Sequence, residues 1–563
     1  MDFKHEIVRL LAKEVSLGQE EISALIAVPP DHKLGDYAFP CFRLGKNPKE
    51  EAEKLKKKLK LPKSFSKVEV SGPYLNFFVN NHFLTEETLT KIYAEKKNYG
   101  RNNLGKGKVI VIDFSSPNIA KPFGIGHLRS TVIGSCLYKV HHFLGYKLIG
   151  VNHLGDWGTQ FGKLIVAFNK WGKEKELEKE PIKYLLKLYV KFHEEAEKDE
   201  TLNEEARAAF KSLEDGDKKN LALWESFKEL SLEEFKRIYE LLEVDFDSYH
   251  GESFYNNLLD KTIKEIQKKI KTEISDGALI INLEKYKLPP LILRKSDQAT
   301  TYGTRDLAAA LYRLKEYQPE KLLYVVGSEQ KMYFQQLFIV LEMLGYKKER
   351  FEHLDFGLFR FPEGKMSTRK GKVIFLEEVL DQAINLAEKI IEEKNPTLKD
   401  KKEIAKEVGV GAIIFGDLSN DRIRNVDFSW ERMLSFDGET APYLQYTHAR
   451  ACSILRKAKK EQGLSISSKI KFEQLQLAEE KAVVKLLYEF PEAVIKVAES
   501  YKPHHLAQYL ISLAQAFNEF YHKCAVISER EEQMKARLLL VDSCRQVLEN
   551  GLNLLGIKAP EEM

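Results

Sequence analysis

The stretch PNIAKPFGIGHLRS, residues 117–130, gathers two glycines, a histidine, a lysine and an arginine into one short segment. Its flanks decide the fold. Upstream, KVIVIDF (Lys108 to Phe114) is a short apolar, β-branched run of the kind that forms a buried strand. Downstream, Leu128, Val132, Ile133, Leu137 and Val140 recur at helical spacing, and YKLIGVNHLG then supplies a second short strand ending in polar residues. Strand, loop, helix, strand is a βαβ unit, and α/β sheets bind ligands in the crevice past the carboxyl ends of such strands. A helix starting just after Gly126-His127 aims free backbone N–H groups and a partial positive charge at that crevice. Gly126 lets a ligand approach the backbone, and His127 can donate to a phosphate oxygen. A tight turn with an ordinary surface histidine fits the same residues equally well, so the stretch alone leaves both readings open.

Two better-known phosphate motifs are excluded. The G-x-G-x-x-G dinucleotide fingerprint fails because Arg129 stands where the third glycine belongs. GRNNLGKG (Gly100 to Gly107) imitates a P-loop but ends in Gly107 rather than Ser or Thr, and it precedes its strand instead of following it.

At 563 residues the chain is long enough for two to four domains, each with its own core. Charged residues make up 31% of it, yet the net charge is only +4, so any contact with nucleic acid must come from local patches. The five cysteines, Cys41, Cys136, Cys452, Cys524 and Cys544, lie far apart with no C-x-x-C pair, which argues against a disulfide framework or a zinc site. The opening MDFKHEIVRLLAKEVS mixes acidic with apolar residues, as expected of an amphipathic helix and not of a targeting peptide. No apolar run is long enough to cross a membrane. A cytoplasmic protein is expected.

Residues 1–104 read as a small α+β unit in which KVEVSGPYLNFFVN forms a strand pair around Gly72-Pro73. Its lysine-dense AEKLKKKLKLPKSFSK is either a solvated helix face or a phosphate-backbone contact. Residues 105–435 hold the α/β material, interrupted near 165–270 by a charged helical insertion. The parallel pattern is expected to resume with PPLILRKSDQATTYGTRDLAAALYRLKEY, and KLLYVVGSEQ then runs as a strand into a further helix. Residues 436–563 read as an all-α bundle. The fold class is therefore α/β, with an α+β amino-terminal domain and a helical carboxy-terminal one.

A second cationic loop, FPEGKMSTRKGK (Phe361 to Lys372), follows the last α/β strand. Lys365, Arg369, Lys370 and Lys372 concentrate positive charge beside Ser367, a composition suited to stabilising a polyphosphate in a transition state. A lysine-rich surface turn is the alternative, but two phosphate-suited loops in one domain make coincidence less plausible.

SSPNIAKPFGIGHLRSTVIG, NHLGDWGTQFG, TTYGTRDLAAALYR, YVVGSEQ, KMSTRKG and DGETAPYLQYTHARACSIL, taken together and in order, resemble the arginyl-tRNA synthetases. These are class I enzymes with H-I-G-H and K-M-S-K-S motifs on a Rossmann catalytic domain. The resemblance spans almost the whole chain: GDYAFPCF and GPYLNFFVN are similar to that family's amino-terminal domain, which binds the tRNA elbow, and LGIKAPEEM to the end of its DALR-type anticodon-binding bundle. It implies that arginine's carboxylate attacks the α-phosphate of ATP and that the terminal ribose of tRNA(Arg) then takes the arginyl group. Magnesium would travel on the ATP phosphates, with no permanently bound metal or organic cofactor, no DNA or membrane partner, and a monomeric enzyme.

By the same resemblance His127 matches the second histidine of H-I-G-H, and Gly126, His127, Lys365, Met366 and Ser367 form the ATP site. Asp113, Ser116, Asn118, Tyr302, Asp306 and Gln330 fall where the family binds arginine. A planar five-donor guanidinium is best held by carboxylates, and Tyr302 lies one helical turn before Asp306, so both can face one pocket. A solvent-facing strand-end acid is the alternative for Asp113, and a core aromatic for Tyr302. Tyr443, Tyr446 and His448 open a helix of the last domain, where they either stack on anticodon bases or pack in the core. The paired histidines His141-His142 and His504-His505 read as structural.

Two positions depart from the family pattern. Gly124 stands for the first histidine of H-I-G-H, and Thr368 for the second lysine of K-M-S-K-S. Family members lacking that lysine tend to carry one just before H-I-G-H, where this chain has Lys121, so Lys121 is expected to be catalytic alongside His127, Lys365 and Ser367. The missing histidine is not compensated. A tRNA-binding paralogue without aminoacylating activity, or a different class I nucleotidyltransferase, are the rival readings.

Overall fold

The computed structural model describes residues 3–29, 31, 34–360, 374–528 and 530–563. The chain forms two compact units, one of residues 1–99, 450–491 and 512–550, the other of 100–449, 492–511 and 551–563. In the first unit, β1 (Tyr37–Pro40), β2 (Phe65–Ser71) and β3 (Tyr74–Val79) make an antiparallel sheet in the order β1-β3-β2. The β2–β3 hairpin turns at Gly72, whose φ of +57° a side chain would disfavour. The lysine-dense helix Pro48–Lys58 buries only Ala52 and Leu55, leaving Lys54, Lys56, Lys57 and Lys58 exposed.

The second unit is built on a parallel sheet. β4 (Val109–Asp113) pairs with β5 (Lys147–Val151) on one side and with β9 (Lys321–Tyr324) on the other, and β10 (Phe351–His353) extends it in the order β10-β9-β4-β5. β4 is paired on both edges, which is why its sequence is a continuous β-branched run. The helix Leu128–Phe143 crosses from β4 to β5 as the spacing predicts, and Gly145, at φ +83°, turns the chain into β5. That helix lies so close to the strand end that a Cβ on Gly134 would meet the Phe114 side chain at 2.3 Å. Val111, Val151, Leu307, Leu322, Leu337 and Leu341 share one buried core on the sheet.

One expectation is corrected. LILR does form a strand, β8 (Leu291–Arg294), but not in the parallel sheet. It pairs antiparallel with β7 (Ala278–Ile281), which pairs in turn with β6 (Glu273–Ser275). Residues Asp276 and Gly277, both at positive φ, close the β6–β7 hairpin. Along β8 burial alternates, Leu291 and Leu293 inward and Ile292 exposed, as suits a sheet with one wet face. The insertion is helical, ending in the long helix Lys218–Leu242 and the shorter Leu259–Lys269. Finally, β11 (Phe359–Arg360) pairs in parallel with β12 (Val426–Asp427). Among the described residues no helix is long and apolar enough to cross a membrane.

Candidate active site

After β5 on one side of β4, the chain returns to place β9 on its other side. The ends of β4 and β9 therefore flank a topological switch point, where open α/β sheets form their binding crevice. Asp113 and Tyr324 are register partners there. The loop leaving β4 is held in an unusual path, with Ser115, Ser116 and Ala120 all at positive φ. Its hydrogen bonds hold it there: Ser115 N–H donates to Ser130 Oγ at 2.8 Å, Ser115 Oγ lies 2.7 Å from the Tyr239 hydroxyl, and Ala120 N–H donates to Ser231 Oγ at 2.8 Å. Asn118 bridges to Gly155, where a Cβ would collide with Asn118 Oδ1 at 2.2 Å.

The loop ends in a single 3-10 turn, Ile125–His127, that leads directly into the helix. Among the described residues, a Cβ added to Gly126 would meet nothing within 4 Å, so packing against them does not require glycine at this exposed position. His127 is partly buried, and among the described residues no group completes a well-formed hydrogen bond to its Nδ1. Burial, helped by the Lys121 charge, pushes the imidazole down to about 4, so at neutral pH it is uncharged and can donate one hydrogen bond. The Lys121 Nζ stands 5.7 Å from the centre of the Tyr189 ring, on the insertion helix Pro181–Ala196.

The other half of the crevice carries acids. Asp306, on the first turns of the helix Tyr302–Glu316, accepts a hydrogen bond from the Tyr333 hydroxyl, and its Oδ1 lies 3.5 Å from His153 Nε2. Tyr302 is 61% exposed with its ring 4.8 Å from that of Tyr333, so Tyr302 and Asp306 do share a face. Gln330 is exposed at the end of the 3-10 turn Ser328–Gln330. Asp113 is buried and bound on both oxygens, by Arg313 Nη1 at 2.7 Å and by the Ser116 hydroxyl at 2.9 Å. It is thus neither a solvent-facing acid nor open to a second guanidinium without a rearrangement.

Lys365, Met366, Ser367 and Thr368, with the rest of residues 361–373, lie outside the described residues. The residues after that segment are tied to the cradle, while Arg360 before it is bonded to Phe428. Phe428 N–H donates to the Arg360 carbonyl at 3.0 Å, Ile125 N–H to the Ile374 carbonyl at 3.1 Å, and Leu376 N–H to the Phe123 carbonyl at 2.9 Å. Gly124 itself is buried and bridged to Phe375.

Comparison with known proteins bears on what this crevice handles. The profile of the family described as "tRNA synthetases class I (R), catalytic domain" matches residues 88–430. "Arginyl tRNA synthetase N terminal domain" matches 1–79, and "DALR anticodon binding domain" 444–563. The arginine–tRNA ligases of Clostridioides difficile and Clostridium kluyveri are 48% and 49% identical over 568 residues, covering all of both chains. The chain belongs to the arginyl-tRNA synthetase family. An arginyl-tRNA synthetase structure from Thermus thermophilus matches at a TM-score of 0.81 and 27% identity over 96% of each chain.

Three side chains at this arginyl-tRNA synthetase crevice escaped the sequence reading. His153 lies inside NHLGDWGTQFG without any spacing rule to single it out, and Tyr333 reads as one apolar residue among many in its helix. Glu252 comes from the insertion. Burial, reinforced by Asp306 and Asp156 against the opposing charges of His153 and Arg305, pushes its carboxyl up to about 7. Burial opposes charge on His153 too, but the Asp306 hydrogen bond and the nearby carboxylates outweigh it and raise that imidazole. Lowering the pH from 8 to 6 therefore removes negative charge at Glu252 and adds positive charge at His153. Both changes disfavour a bound guanidinium. Arginine affinity, measured calorimetrically, is expected to fall by up to about tenfold over that range, and Glu252→Gln should flatten most of the dependence. An unchanged slope in Glu252→Gln would remove Glu252 from the pocket.

In the carboxy-terminal part, His448 is buried with its Nδ1 2.9 Å from the Pro560 carbonyl, while Tyr446 is 40% exposed. His448 is thus core and Tyr446 is accessible.

Proposed function

We propose that this chain is an arginine–tRNA ligase whose crevice between β4 and β9 joins L-arginine to ATP. The observation that carries the reading is the juxtaposition of Asp306, Tyr333, His153 and Glu252, an acidic guanidinium pocket, with a glycine-opened cradle in the same α/β unit. Arginine's carboxylate attacks the α-phosphorus, and the bond to the β-phosphate oxygen breaks with release of pyrophosphate. In the second step the 3′-terminal ribose hydroxyl of tRNA(Arg) attacks the adenylate carbonyl and AMP leaves. Neither step needs a covalent enzyme intermediate, so the residues act by positioning and by charge stabilisation.

Asp306 pairs with the guanidinium while Tyr302 covers its planar face. Asp113, held by Arg313, acts through Ser116, whose hydroxyl it fixes. Asn118 and Gln330 meet the amino-acid end and the pocket rim. Neutral His127 and the backbone at Gly126 receive the nucleotide, and Lys121, Lys365, Met366 and Ser367 meet its phosphates, with magnesium carried on the ATP. Residues 1–104 bind the tRNA elbow and 436–563 the anticodon arm of a monomeric, cytoplasmic enzyme. Buried acceptors left unpaired penalise lysine and citrulline, so no editing site is required. Arginine-dependent exchange of labelled pyrophosphate into ATP, run with tRNA present, tests this: arginine alone should support exchange, and equal exchange with lysine or citrulline would reject the pocket.

A further inference from the structure

Asp156, in the segment NHLGDWGTQFG that follows β5, is completely buried, and its carboxylate holds the turn that carries Glu252. Oδ1 accepts the Ser253 N–H at 2.8 Å. Oδ2 accepts the Ser253 hydroxyl and, from the helix Lys218–Leu242, the Lys228 ammonium, each at 2.7 Å. Trp224 Nε1 of the same helix donates to the Asp156 carbonyl at 2.8 Å. Two bonds extend the attachment along the chain: the Glu252 N–H donates to the Leu154 carbonyl at 3.0 Å, and His153 Nδ1 lies 3.0 Å from the His250 carbonyl. Residues 153–156 and 250–253 thus form one hydrogen-bonded seam. At that seam His153 Nε2 lies 3.5 Å from Asp306 Oδ1, and the Glu252 carboxyl feels the charges of both.

Glu252 opens the 3-10 turn Glu252–Leu258, and Gly251 before it has no side chain to cap the free N–H groups of that turn. Asp156 supplies the missing acceptor from a distant part of the sequence. The fit is close, since a Cβ on Gly251 would stand 2.7 Å from the Asp156 carboxylate oxygens. A carboxylate bound at once by a backbone N–H, a hydroxyl and an ammonium fixes the backbone it grips. What it grips here is the immediate neighbour of Glu252. The charged groups acting on Glu252 are His153 and Asp156 on the segment after β5, and Arg305 and Asp306 on the helix Tyr302–Glu316.

We propose that Asp156 is a positioning residue for arginine recognition: by gripping Ser253 it holds the Glu252 carboxylate beside Asp306, where a second negative charge strengthens guanidinium binding. Its contribution lies in arginine affinity and not in the rate at which bound reactants combine. The proposal rests on the ligase reading above, and the two fail separately. No arginine-dependent exchange by the wild-type enzyme would reject that reading. Normal wild-type exchange, with normal arginine binding by an Asp156 variant, would reject only the positioning role.

Two substitutions test the grip. Asp156→Asn keeps the shape, but one amide oxygen cannot accept from both the Ser253 N–H and the Lys228 ammonium. Ser253→Ala removes a single hydroxyl bond and leaves every charge in place. Arginine binding by equilibrium dialysis at pH 6 and pH 8, arginine-dependent pyrophosphate exchange and thermal unfolding are read for each, alone and combined with Glu252→Gln. At pH 8 Asp156→Asn should weaken arginine binding about tenfold and Ser253→Ala about threefold, the scales of a charged and a neutral hydrogen bond. Exchange kcat at saturating arginine should stay within about threefold, since lost ground-state binding raises KM alone. Both should flatten the fall in arginine affinity from pH 8 to pH 6. In the Glu252→Gln background neither should weaken binding by more than about twofold, because residues that act through one another are not additive. An equal loss in both backgrounds, the mark of a general loosening, would overturn the proposal, as would wild-type arginine affinity in either folded variant. If Asp156→Asn fails to fold, Ser253→Ala decides alone.

Discussion

Asp306→Asn is expected to weaken arginine binding by about 30-fold or more and to leave ATP binding within about twofold, since losing a charge-assisted pair at a desolvated site costs ~2–5 kcal/mol. The change is nearly isosteric. The amide oxygen can still accept from Tyr333, so the hydrogen bond that orients the side chain survives. What disappears is the negative charge facing the guanidinium, together with the partner that His153 has at 3.5 Å. Titration calorimetry with arginine, and separately with a non-hydrolysable ATP analogue, reads the two affinities. An arginine affinity unchanged within twofold would move the specificity pocket away from Asp306.

Lys121→Ala is expected to slow adenylate formation by about 100-fold or more, the scale of one lost electrostatic donor in a transition state. Thr368 cannot supply the cation that the second lysine of K-M-S-K-S provides, and by the family resemblance Lys121 is the expected substitute. Pro122 disfavours helix at Lys121, and Ala120 at φ +55° redirects the chain just before it, so the side chain leaves from an irregular segment beside the cradle. Its Nζ lies 5.7 Å from the centre of the Tyr189 ring, a contact that is weak in itself. Because the interaction is made mainly in the transition state, kcat should fall while the arginine KM barely changes. Thr368→Lys in the Lys121→Ala background should restore part of the rate. Full activity in Lys121→Ala would defeat the compensation, and a rise in arginine KM alone would make Lys121 a binding residue.

Local pattern carried the architecture a long way. The β-branched run at 108–114 became β4, and the helical spacing from Leu128 became the helix Leu128–Phe143. Tyr302 and Asp306, a helical turn apart, did fall on one face. What local pattern could not supply was partners across the chain. Arg313, 200 residues from Asp113 in sequence, occupies the carboxylate that the resemblance would offer to substrate. Glu252 acquires its character from burial near Asp306 and Asp156, a setting created only when the insertion folds back. β8 was read correctly as a strand, but a four-residue apolar run does not say which sheet it will join. At Gly126 the sequence offered a turn or a cradle, and nothing among the described residues lies within 4 Å of a Cβ there, which is compatible with both.

The measurement that bears most directly on the whole account is charging of an unfractionated tRNA pool by the purified protein, with each amino acid labelled in turn and ATP with magnesium supplied. Arginine alone should become acid-precipitable on tRNA, and the Asp306→Asn variant should require far more of it. Charging by a different amino acid would contradict the pocket. Charging by none, from a folded protein that still binds tRNA, would leave a tRNA-binding paralogue in which Gly124 marks the loss of the chemistry.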